Sequence, residues 1–135
     1  DYGLDYAADE VIVTAGTQEA VMLCMLALIE KGDEVLLPAP RFTSYDAAVT
    51  MCGGVVVEVP TREEDDYALV PAEVEKRITP KTKVLVLITP NNPTGAVTPP
   101  DMVREIARIA ISHDLIVISD EIYGRLVYDN ARVQP

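Results

Sequence analysis

The sequence predicts an α/β fold, a mostly parallel sheet with flanking helices. Short β-branched runs alternate with stretches of helical spacing, two of the runs are apolar at every position, and glycine or proline closes most segments. A run that is apolar throughout is expected where a strand is covered on both faces, as helices on each side of a parallel sheet require.

Val11 to Thr14 is the first predicted strand, and Ala15-Gly16-Thr17 turns the chain into a helix. Gln18 to Glu30 places Ala20, Leu23, Ala27 and Leu28 at helical spacing, and Lys31-Gly32-Asp33 stops it. Glu34 to Leu37 is a second strand, ended by Pro38-Ala39-Pro40. Phe42 to Met51 reads as a second helix, closed by Gly53-Gly54, and Val55 to Val59 as a third strand. Residues 61–69 are acidic and loop-like, and Pro71 to Ile78 is a short helix with proline at its start. Val84 to Ile88 has the composition of a fully buried strand and runs straight into Thr89-Pro-Asn-Asn-Pro-Thr-Gly95. Asp101 to Ser112 is amphipathic, with Met102, Ile106, Ile109 and Ala110 on one side. Leu115 to Ile118 is another buried strand, and Arg125 to Asp129 a last short one.

At 135 residues and 49% apolar composition the chain has the material for one domain with a real core. No apolar run approaches the ~18 residues a membrane helix needs, and the first residues lack the features of a signal peptide. The expectation is a soluble, cytoplasmic protein without membrane contact. A net charge of −11 disfavours nucleic acid, because neutralising phosphates needs a basic face and the 11 Lys and Arg are scattered. The acidic excess fits an ordinary acidic surface, or one adapted to high salt. Cys24 and Cys52 show neither CxxC nor Cys/His spacing, so buried free thiols and no metal site are expected.

Ligands of open parallel sheets bind beyond the carboxyl ends of the strands, which puts weight on three motifs. Gly16, Thr17 and Gln18 open a helix whose free N–H groups and positive dipole end suit a phosphate; equally, Thr17 is a helix cap and Gly16 a turn residue. Asn91-Asn92-Pro93-Thr94-Gly95 has turn chemistry, yet an asparagine amide at the exit of a buried strand can also donate to a phenolate-like oxygen. Asp120 ends a buried run, where an unpartnered charge is costly, and no basic residue lies at a matching position. Either a ligand cation such as a protonated heterocycle pairs with it, or it caps a surface turn. His113, Tyr45 and Tyr67 are assigned packing or surface positions rather than chemistry.

These residues together resemble the fold-type I, pyridoxal 5′-phosphate (PLP)-dependent class I/II aminotransferases, the aspartate aminotransferase-like group. The resemblance runs through Val11-Ile-Val-Thr-Ala-Gly-Thr17, Gly32-Asp-Glu-Val35, Pro40-Arg-Phe-Thr-Ser-Tyr45, Ile78-Thr-Pro-Lys-Thr-Lys83, Asn91-Asn-Pro-Thr-Gly95 and Ser119-Asp-Glu-Ile-Tyr123, in that order. It implies that the backbone at Gly16, Thr17 and Gln18 holds the cofactor phosphate and that Phe42 stacks on the pyridine ring, unless that residue belongs to the core. Asn92 and Tyr123 would bond the cofactor's 3′ oxygen, with Asn92 also near the substrate carboxylate. Asp120 would pair with the pyridine nitrogen and keep it protonated. The reaction implied is transamination between an amino acid and a 2-oxo acid, with ping-pong kinetics, by a homodimer.

The sequence departs from the family pattern in its lysines. Lys31, Lys76, Lys81 and Lys83 all precede the Asp-Glu-Ile-Tyr motif, whereas the family's Schiff-base lysine follows it. Residues 1–135 therefore read as a partial PLP-binding large domain, without the N-terminal arm, the lysine region or the C-terminal small domain, and inactive alone. A non-catalytic or degenerate PLP-binding domain is the alternative, as are β-elimination and decarboxylation on the same scaffold. Leu115 to Glu121 also resembles an ATPase Walker B strand, but no GxxxxGK[ST] accompanies it, and GxGxxG is absent.

Overall fold

A computed structural model of the chain describes residues 5–128 and Val133. Four strands, β1 (Glu34–Ala39), β2 (Val55–Pro60), β3 (Thr82–Ile88) and β4 (Ile116–Asp120), form one sheet. Their order is β2-β1-β3-β4, and every pairing is parallel. Four helices join or precede them: α1 (Thr17–Leu28), α2 (Ser44–Met51), α3 (Pro71–Glu75) and α4 (Pro100–Ser112).

The side-chain alternation of a strand divides the core in two. Val35 and Leu37 of β1 and Val84, Val86 and Ile88 of β3 face Val21, Met25 and Ile29 of the α1 region and Tyr45, Ala48 and Val49 of α2. Leu36, Leu85 and Leu87 point the other way and meet Val74 of α3 and Ile106 and Ile109 of α4. Two helical layers thus explain why β3 has no polar position between Val84 and Ile88. Each of these fully buried aliphatic side chains contributes on the order of 1.5–3 kcal/mol through burial.

Gly54 sits where the layers close most tightly. A Cβ added there would lie 2.8 Å from Ile29 Cγ2 and 3.0 Å from Val49 Cγ1, so the entry to β2 passes between the end of α1 and α2 only because this residue has no side chain. The Gly53-Gly54 pair expected to stop a helix also provides that passage.

Several expectations are corrected. Val11–Thr14 belongs to no described strand and is largely exposed, Val13 at 93%. β-Branched composition favours extended backbone, but a strand exists only when a neighbour supplies the hydrogen bonds, and no described strand does so here. Leu115–Ile118 is expected to be buried, yet among the described strands β4 pairs only with β3, and Ile116 and Val117 are exposed. Residues 125–128 are turn and irregular structure rather than strand, with the Leu126 N–H bonded to the Tyr123 carbonyl at 2.8 Å; position 129 lies outside the described residues. The second helix begins at Ser44, leaving Phe42 in the preceding loop, and the third ends at Glu75. Residues 61–69 contain one 3₁₀ turn, Glu63–Asp65, and bury Ala68 and Leu69. Cys24 and Cys52 are free but only half-buried. No helix among the described residues is long and apolar enough to cross a membrane.

Gly54→Ala is expected to lower stability by about 1–3 kcal/mol through overpacking, read as a lower urea midpoint at unchanged slope. An unchanged midpoint would show that Ile29 and Val49 yield without cost.

Candidate functional site

The carboxyl ends of β1, β3 and β4 and the start of α1 surround a cavity of about 510 Å³, within the usual range for small-molecule sites. All seven residues singled out from the sequence, Gly16, Thr17, Gln18, Phe42, Asn92, Asp120 and Tyr123, line it. They come from four separate stretches of chain, and the parallel sheet brings them together because its strands all end on this side.

At one wall, Gly16 precedes α1 with φ +99° and ψ 167°, a conformation that favours glycine. The Gly16 carbonyl accepts the Ala20 N–H at 3.4 Å, the first bond of the helix, and the Thr14 hydroxyl at 3.0 Å. The amides of Thr17 and Gln18 precede the helical ladder and have no backbone acceptor among the described bonds. The N-cap of α1 is Gly16 and Thr17 is the first residue of the helix, so the reading of Thr17 as only an N-cap loses its support.

Phe42 is 42% exposed at the cavity edge, which removes the core alternative. Its loop is anchored by Arg41, a residue to which the sequence reading gave no role. The Arg41 side chain is buried, and its guanidinium donates to the Asp46 carboxylate, to Glu58 Oε1 at 3.2 Å and to the Pro38 carbonyl at 3.2 Å.

The two adjacent asparagines divide their tasks. Asn91 is buried, and its Nδ2 donates to the Pro40 carbonyl at 3.0 Å and to Thr94 Oγ1 at 3.2 Å, while its backbone pairs with Ala96 and Gly95. It ties the loop after β3 to the loop after β1. Asn92, only half-buried, lines the cavity.

Asp120, the last residue of β4, is half-buried at the cavity wall. Its Oδ1 accepts the Ile122 N–H at 3.1 Å, its Oδ2 accepts the Tyr45 hydroxyl, and its carbonyl accepts the Thr89 N–H at 3.1 Å. Among the described residues, none of the ion pairs includes it and no Lys or Arg lines the cavity. Tyr45 packs in the core, as expected, but it also reaches the site. Burial, and then the adjoining Asp120 carboxylate, push its phenol far above the usual titration range, so it stays protonated. This bond joins residues 75 apart in sequence, and no local spacing announces it.

Asn91→Ala is expected to cost about 1–3 kcal/mol, because it removes two bonds from a buried loop. Asn92→Ala should change stability by no more than about 0.5 kcal/mol. Parallel denaturant titrations check the contrast, and equal losses would overturn the division of tasks.

Residues 1–135 match the family described as aminotransferase class I and II. The chain is 44% identical over 133 residues to a probable aspartate/prephenate aminotransferase of Thermus aquaticus, covering 98% of this chain and 35% of that protein. It is 44% identical over 123 residues to aromatic-amino-acid aminotransferase 2 of Thermococcus litoralis, covering 91% of this chain and 32% of that one. The structure of an aspartate aminotransferase from Thermus thermophilus with maleate superimposes with a TM-score of 0.94 at 42% identity, over 98% of this chain and 35% of that chain. The chain spans about a third of the length of these relatives. A family match along the whole sequence, identity above 40% and close superposition on a solved aminotransferase together show that the chain belongs to the class I and II aminotransferases, fold-type I enzymes that use pyridoxal phosphate.

Proposed function

We propose that the protein carrying this chain exchanges an amino group between an amino acid and a 2-oxo acid, with this segment forming part of the PLP site. The observation that carries the proposal is Asp120: a half-buried carboxylate with a phenol and an amide for partners but no cation among the described residues, lining a cavity that the start of a helix also lines. PLP offers the two complementary charges, a protonated ring nitrogen and a phosphate.

The donor set fits that cofactor in kind and in number. The amides of Thr17 and Gln18, with Gly16 allowing close approach, would hold the phosphate. Phe42, exposed at the cavity edge, would offer its aromatic surface to the ring. Asn92 and Tyr123 would donate to the 3′ oxygen, and Asn92 would also meet the substrate carboxylate. When bound, PLP supplies an electron sink for the substrate's α-carbon. Asp120 would serve that chemistry by keeping a proton on the ring nitrogen, and Asn92 and Tyr123 would help to orient the ring.

The isolated 135-residue chain is proposed to be inactive. None of its four lysines lines the cavity, and Lys31, Lys81 and Lys83 flank the amino ends of β1 and β3, away from the site. The residues are read as a partial large domain, completed in a longer, cytoplasmic and homodimeric protein. Related PLP chemistries would use the same cradle, so the assay must follow both products.

In the longer protein, conversion of amino acid to 2-oxo acid with stoichiometric amination of a second oxo acid is the expected result, and Asp120→Asn should lower kcat roughly a hundredfold or more. Deamination without transfer to an acceptor would replace transamination with elimination. Turnover by the 135-residue chain alone would refute its inactivity.

A further inference from the structure

The PLP reading leaves Tyr45 without a task, although its hydroxyl occupies one oxygen of the carboxylate on which that reading rests. We propose that Tyr45 is a positioning residue: its phenol O–H holds Asp120 Oδ2 and thereby aims the carboxylate's remaining lone pairs into the cavity, at the cofactor's ring nitrogen. This rests on the PLP reading and extends it to a residue that does not itself need to touch the ring.

Asp120 is the last residue of β4, where the strand's ladder with β3 ends, so its side chain is held by hydrogen bonds rather than by further strand pairing. An ionised carboxylate has about four acceptor positions, and the chain fills two from different directions, Oδ1 by the Ile122 amide and Oδ2 by Tyr45. The donors differ in rigidity. Ile122 is exposed and lies in the turn after β4, whereas the Tyr45 ring is 3% exposed and packs with Val21, Met25 and Val49. The core therefore sets the position of the hydroxyl, and the hydroxyl sets that of the carboxylate. Tyr45 stands on α2 directly before Asp46, which Arg41 grips, so the element presenting the phenol is itself fixed to the loop that carries Phe42. One side of the site is thus a connected unit in which the ring-facing aromatic and the nitrogen-facing carboxylate are held by adjacent residues of one helix. Because the phenol stays protonated, it can only donate to Asp120 and does not compete with it as a second anion.

Titration of the longer apoprotein with PLP, followed by absorbance, tests this in four forms: wild type, Tyr45→Phe, Asp120→Ala and the double variant. Phenylalanine preserves the packed ring and removes only the hydroxyl. The expected result is about tenfold weaker PLP binding by Tyr45→Phe, with no further loss when the same change is made on the Asp120→Ala background. Binding by Tyr45→Phe within about twofold of wild type would overturn the proposal. So would an equal loss on both backgrounds, which would make Tyr45 a packing residue acting independently of Asp120. Failure of the wild-type protein to bind PLP at all is a separate result, and it would overturn the PLP reading itself.

Discussion

The burial of Val84–Ile88 of β3 between two layers of helices is the constraint on which the rest of the structure depends. Val84, Val86 and Ile88 are claimed by α1 and α2, and Leu85 and Leu87 by α3 and α4, so the strand cannot slip by one residue without turning every side chain to the wrong layer. That register fixes where the strand ends. Thr89 follows immediately, fully buried, its amide bonded to the Asp120 carbonyl and its hydroxyl oxygen accepting the Thr98 N–H at 3.0 Å. The loop carrying Asn92 and the strand end carrying Asp120 are thus tied to one another through the backbone of the best-packed strand.

The site built on this scaffold is unbalanced in charge. Among the described residues Asp120 is the one Asp, Glu, Lys or Arg side chain lining the cavity, and the helix start that also lines it offers amide donors rather than a counter-cation. A half-buried carboxylate with two hydrogen-bond donors is tolerable, and the arrangement leaves attraction unspent for a ligand that brings a positive group to one end and a negative group to the other. The residues around it are stabilised by contacts that have nothing to do with a ligand. Arg41 anchors the Phe42 loop by a three-partner network, Asn91 stitches two loops together, and Tyr45 belongs to the core. Rigid neighbours of this kind hold functional groups in place without themselves entering the chemistry.

Much of this was legible in the sequence. Alternation of apolar runs with helical spacing determined an α/β fold, because buried strands and amphipathic helices have different periods. The order and chemistry of the strand-end motifs point to Gly16, Thr17, Gln18, Phe42, Asn92, Asp120 and Tyr123, and all seven line one cavity. Other features depended on partners far away in the chain. Val11–Thr14 has the composition of a strand and no described neighbour to make it one, and β4 reads as buried but has only β3 beside it among the described strands, because pairing is a relation between segments rather than a property of one. Asn91 and Asn92 are identical in composition and differ only in what surrounds them. The Tyr45–Asp120 bond spans 75 residues and exists because β3 and β4 pair in register while α2 packs across them. The sequence by itself determined the elements and the chemical resources of the site; only tertiary packing decided which of those resources touch, since contact between remote residues follows from how buried surfaces fit rather than from local pattern.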